Sequence, residues 1–118
     1  MELVAFLGKE KENLGQLAGL INNMDCEKIF LVKDKNAGDL IKHQKCKTIA
    51  VDTAKDLLSL KNEIKEKLKQ ELNNDFEVAL SIASGSGKEH MALISALLSI
   101  PVGIRFVAYT KKGIEFLE

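Results

Sequence analysis

The chain has 118 residues, 29% of them charged and 46% apolar, which fits one globular domain with a single core and excludes a disordered chain. Lys and Arg number 17, as do Asp and Glu, so the formal net charge is zero and broad electrostatic capture of nucleic acid is not expected. No apolar run approaches the length of a bilayer span, and Met1 opens no signal-peptide pattern.

Along the chain, apolar runs alternate with helical spacing. Leu3 to Leu7 (LVAFL) is short, continuously apolar and closed by Gly8, as a central parallel strand buried on both faces would be. Leu14, Leu17, Ala18, Ile21 and Met24 predict a helix over 14–24, with Asn13 and Gln16 in capping positions. Lys28 to Lys33 (KIFLVK) reads as a second strand, and a short helix capped by Asn36 is expected over 37–43. Thr48 to Val51 is a third strand. Asp52 or Thr53 is placed to cap a long helix over 54–73, whose stripe is Leu57, Leu60, Ile64, Leu68 and Leu72. Val78 to Ile82 is a fourth strand, followed by a helix over 87–99. Residues 104–109 and 114–117 flank Thr110–Gly113 as a β-hairpin.

This alternation predicts an α/β, Rossmann-like three-layer sandwich spanning 1–118 as a single domain. Right-handed crossovers give a mostly parallel sheet of order 3-2-1-4-5-6, with strand 6 antiparallel in the C-terminal hairpin. Ligands of such sheets sit where the strand order reverses, beyond the carboxyl ends of the strands. Here that point falls between strands 1 and 4. The loops there are GKEKEN (8–13) and ASGSGK (83–88), both with glycine and lysine at their turns. Glycine lets a ligand approach the backbone, the helix start near Gly87 offers N–H groups, and Lys88 and Lys9 bring positive charge from two sides. An anionic ligand, most often a phosphate, suits that combination.

Each of these residues also has a purely structural reading. Ser86 and Glu89 match a capping box, Gly85 and Gly87 suit a tight turn, and Lys9 belongs to a solvated run with Glu10, Lys11 and Glu12. His90 lies in the first helical turn, within reach of the crevice or of a structural partner. His43 has no partner in the sequence. Known phosphate motifs do not fit. Position 82 is Ile where a Walker A loop needs Gly, and Glu89 stands where it needs Ser or Thr. His90 breaks the dinucleotide fingerprint. Cys26 and Cys46 form no CxxC pair, so no zinc site is expected, and both read as reduced thiols of a cytoplasmic protein. The last helix, HMALISALLSI, is apolar almost all round. A patch of Met91, Leu93, Leu97 and Leu98 is expected to close a twofold homodimer, the alternative being burial under the long helix.

The opening strand ending in Leu-Gly, the SGSGK loop after the fourth strand, the apolar helix and the closing GIRFVAYTKKGIEFL hairpin together resemble the CARF family of CRISPR-associated Rossmann-fold sensor domains. The likeness in element order covers the whole chain, while the motifs lie at 5–9 and 83–90. Family loops often read Thr-Gly-Gly-Thr-Lys, so the second glycine and the hydroxyl residue are exchanged here. The resemblance implies a homodimer binding a cyclic oligoadenylate across its dyad. Its contacts would come from Leu7, Gly8, Lys9, Ser84, Gly85, Ser86, Gly87 and Lys88, with no metal, no cofactor and no direct duplex DNA binding. It leaves three readings: a ring nuclease acting by 2′-hydroxyl attack, a binding-only sensor, or a domain of a longer protein. An interaction protein without a nucleotide ligand is the reading outside the family. For the nuclease, Lys88 would stabilise the phosphorane charge, Ser86 would orient the phosphate with help from Lys9, and His90 would protonate the leaving oxygen.

Overall fold

In the computed structural model, residues 1–9, 11, 13–72 and 77–117 are described. Their elements are β1 (Glu2–Leu7), α1 (Leu14–Asn23), β2 (Ile29–Asp34), β3 (Cys46–Val51), α2 (Leu57–Glu71), β4 (Glu77–Ser81), α3 (Gly87–Leu98), β5 (Gly103–Thr110) and β6 (Gly113–Phe116). The sheet order is β3-β2-β1-β4-β5-β6, parallel from β3 to β5 and antiparallel between β5 and β6, as the alternation predicts. Leu3 of β1 stands beside Ile29 on one side and Ala79 on the other.

Period-two alternation divides the apolar strands between two layers of helix. Val4, Phe6, Phe30, Val32, Val78 and Leu80 face α2 and α3. Leu3, Ala5, Leu7, Ile29, Leu31 and Ala79 face α1, whose buried stripe is Leu17, Leu20 and Ile21. That is why the central strands read as unbroken apolar runs: neither of their faces meets water. Gly19 lets α1 lie against the Tyr109 ring, which a methyl group at that position would overlap. Arg105 stacks on Phe116, 4.1 Å from the ring centre, and ties the hairpin strands together.

Four local expectations are corrected. Residues 37–43 form no helix. A turn at 35–37 leads into irregular chain instead, held by side chains: Asp34 accepts the Asn36 N–H at 3.0 Å, and Lys33 Nζ donates to the Ala37 carbonyl at 2.6 Å while pairing with Asp39. With only Leu40 and Ile41 apolar in its second half, the segment has no stripe to hold a helix on the sheet. Asn13 does not cap α1 through its side chain; its backbone is left-handed (φ 59°). Asp56, not Asp52 or Thr53, caps α2, accepting the Ser59 N–H at 2.8 Å. The expected end of that helix at residue 73 lies outside the described residues, as do Glu10 and Glu12 of the charged run.

The fourth correction concerns the apolar face of α3. Leu93 and Leu97 are fully buried in the chain's own core, where Leu60, Ile64 and Leu68 of α2 pack in the same cluster. Two helices of one chain therefore cover each other, and the exposed apolar residues of α3 are Met91 and Leu98. Cys26 is buried and Cys46 half-buried; both are free thiols, and burial pushes both up from the ordinary thiol range. Among the described residues, no helix is long and apolar enough to cross a membrane.

Candidate functional site at the β1–β4 switch point

The carboxyl ends of β1 and β4 are joined side by side. The Gly8 N–H donates to Ser84 Oγ at 2.9 Å, and a Cβ on Gly8 would sit only 2.7 Å from the Gly85 nitrogen. Gly85 has φ 107°, a left-handed conformation that side chains disfavour. The chain thus turns off β4 directly against the end of β1 and enters α3.

Both halves of the capping box form. Ser86 Oγ accepts the Glu89 N–H at 3.2 Å, and Glu89 Oε1 accepts the Ser86 N–H at 2.7 Å. His90 Nε2 lies 2.7 Å from the Ser84 carbonyl oxygen. A carbonyl only accepts, so Nε2 is the donor in this contact.

These turns enclose a cleft of about 280 Å³, lined by Gly8, Lys9 and Asn13 on the β1 side and by Ala83, Gly85, Ser86 and Glu89 on the β4 side. Four of the residues expected at the site line it: Gly8, Lys9, Gly85 and Ser86. Leu7 and Ser84 are buried beneath it. Gly87 and Lys88 lie outside the lining. Lys88 turns to the neighbouring crossover, where its Nζ donates to the Thr53 carbonyl at 2.9 Å.

Lys9 is the cation of the cleft. Its side chain is 58% exposed, and its Nζ stands 3.6 Å from Asp34 Oδ2 at the end of β2. Asp34 is buried and accepts the Thr53 hydroxyl at 2.5 Å, the Thr53 N–H at 3.0 Å and the Asn36 N–H at 3.0 Å. The Thr53 hydroxyl, followed by the Thr53 N–H, holds this carboxyl well below the usual range; burial opposes them, while the Asn36 N–H and the Lys9 charge assist.

Asn13 and Ala83 lie in the two expected loops without being singled out as contacts, while sequence reasoning missed Glu89 as a lining residue, and Asp34 and Thr53 as the brace behind Lys9 and Lys88. In the sequence Asn13 closes the expected loop 8–13 but is singled out only as a cap, and Glu89 is singled out only for the capping box. Asp34 carried a positional signal, being an acid at the carboxyl end of a central strand. Among the described residues, no group of three or more His, Cys, Asp or Glu is arranged to hold a metal ion.

Fold and cleft together define a Rossmann-like α/β domain with a pocket at its topological switch point. A scan against protein-family models matches no family, and a search of curated proteins finds no match.

Proposed function

We propose that this chain binds a phosphate-bearing nucleotide in the β1–β4 cleft, and that the ligand is a cyclic oligoadenylate shared between two copies of the chain. The observation that carries the reading is the lining of the cleft. Two glycine turns, one lysine and the start of a 12-residue helix converge at the switch point. Bare backbone at the glycine turns and a cation suit an oxyanion.

Size supports the shared pocket. About 280 Å³ is at the small end of ligand clefts, too little for a ring of several nucleotides. A second copy related by a dyad would double the cleft and match the ring's even symmetry. The resemblance to CARF domains points to the same ligand class.

Calorimetry with cyclic tetraadenylate, cyclic hexaadenylate and AMP tests the reading. Micromolar or tighter binding of one ring, at one ring per two chains, is the expected outcome. Binding of AMP alone would replace it with a general nucleotide site.

A second reading has its own support. Lys88, His90, Ser84 and the Ser86 hydroxyl all have partners within the chain. A loop so satisfied also serves simply to join β4 to α3, as in an interaction protein with no nucleotide. Failure of all three ligands to bind would favour it. Ring opening is a separate matter, because Lys88 and His90, the residues suited to charge stabilisation and proton transfer, are bonded away from the cleft. Incubating excess protein with cyclic tetraadenylate in EDTA and resolving the products decides between a sensor and a nuclease.

A further inference from the structure

The cleft is electrically mixed. Lys9 stands on its β1 side and Glu89 on its β4 side. The capping box fixes the carboxylate, with Oε1 taken by the Ser86 N–H at 2.7 Å. Gly85 makes room for it, since a Cβ there would lie 3.2 Å from Glu89 Oε1. Oε2 has no hydrogen-bond partner among the described residues. A bare polyanion entering the cleft meets this like charge at close range. A ligand presenting a hydrogen-bond donor to Glu89 and a phosphate to Lys9 meets a matched pair.

We propose that Glu89 is the specificity-determining residue of the cleft, its Oε2 accepting a hydrogen bond from a ribose 2′-hydroxyl, so that ribonucleotide phosphates are taken while bare phosphates and 2′-deoxy ligands are refused. This rests on the nucleotide-binding reading above. The 2′-hydroxyl is favoured over a base amine because it adjoins the 3′-phosphate of its own nucleotide. Donor and anion are then close enough for a cleft of about 280 Å³ to engage both. A carboxylate reading a ribose hydroxyl is the same chemistry by which dinucleotide folds select their cofactor.

Glu89→Gln is the informative variant. Glutamine still completes a capping box, so the helix start is kept. With its oxygen on the Ser86 N–H, its amide nitrogen replaces the free acceptor with a donor. Calorimetry then compares cyclic tetraadenylate, its 2′-deoxy counterpart and inorganic pyrophosphate. The unmodified protein should prefer the ribose ring by about tenfold, the order expected for a hydrogen bond to a charged group. In Glu89→Gln that preference should fall below about threefold, and pyrophosphate should bind several-fold tighter. Glu89→Asp, which keeps the charge, should still refuse pyrophosphate. An unchanged ribose-to-deoxy ratio, or equal pyrophosphate affinity in both proteins, overturns the role of Glu89 even if the ring binds tightly. If no nucleotide binds yet Glu89→Gln gains pyrophosphate affinity, the nucleotide reading falls, and with it ribose selection, while anion rejection by Glu89 stands.

Discussion

The Asp34 carboxylate accepts both the hydroxyl and the backbone N–H of Thr53, at 2.5 and 3.0 Å, and so pins the turn after β3 to the end of β2. The same turn receives Lys88 on the Thr53 carbonyl, and Asp34 faces Lys9. One pair, a buried Asp34 and a half-buried Thr53, therefore braces both lysines that flank the switch point. Thr53→Val keeps the side-chain shape and removes the hydroxyl, leaving Asp34 one donor short. We expect a loss of about 1–3 kcal/mol in urea unfolding. A loss under a few tenths would mean the hydroxyl is replaceable by water.

Acid should weaken the fold through two carboxyls. The folded-state pKa of Asp34 lies well below the ordinary value, so its stabilisation is complete above the unfolded pKa and disappears as pH falls. Glu63 behaves alike. Burial works against its ionisation, but the Lys67, Asp52 N–H and Lys55 interactions together outweigh that and bring it to about 2. Stability should decline as pH drops from about 5 towards 2. Urea midpoints measured across that range should flatten in an Asp34→Asn, Glu63→Gln double variant. A parent protein with no decline would contradict the assignment.

Gly8→Ala is expected to be costly, because the added carbon meets backbone rather than a movable side chain. Separating the two loops should destabilise by about 1–3 kcal/mol. It should also break the bond from the residue 8 N–H to Ser84, seen as faster amide exchange at position 8 than in the parent. Retention of a protected amide at position 8 in the variant would show that the loops adapt without parting.

Leu97→Glu and Leu98→Glu should behave oppositely. Leu97 is fully buried in the chain's own core, so a charge there should unfold the monomer. Leu98 is 72% exposed, and its replacement should leave the melting temperature nearly unchanged. If α3 closes a homodimer, sedimentation at low concentration should show the parent as a dimer and Leu98→Glu as a monomer near 13 kDa. A monomeric parent would remove the shared cleft from the proposal.

Lys9→Ala should weaken ring binding by about tenfold, since this is the cation that lines the cleft. Lys88→Ala should act mainly on stability, by removing the bond to the Thr53 carbonyl. Calorimetry beside thermal melting separates the two effects. The reverse pattern, with Lys88 governing affinity, would mean that Lys88 leaves Thr53 when the ligand arrives.

Layers and strand order were legible in the sequence because burial on both faces writes itself as unbroken apolar runs, as in LVAFL and IFLV, and because short right-handed crossovers leave few topologies. The Ser86–Glu89 capping box was legible for a similar reason: it is a local contact over three residues. Side-chain direction was not. Lys88 and Lys9 look equivalent as lysines in glycine loops, yet Lys88 reaches a carbonyl 35 positions away, while Lys9 faces Asp34 and the cleft. Leu97 and Leu98 are adjacent leucines in one helix, and only the packing of α2 decides that one is core and the other surface. Asp34 lies one residue past the strand read over 28–33, and its bonds to Thr53 exist only because the parallel pairing of β2 with β3 brings the two turns together. Local sequence determines which elements form and how they begin; which atoms meet across distant stretches of chain depends on register and layer packing, which no single segment encodes.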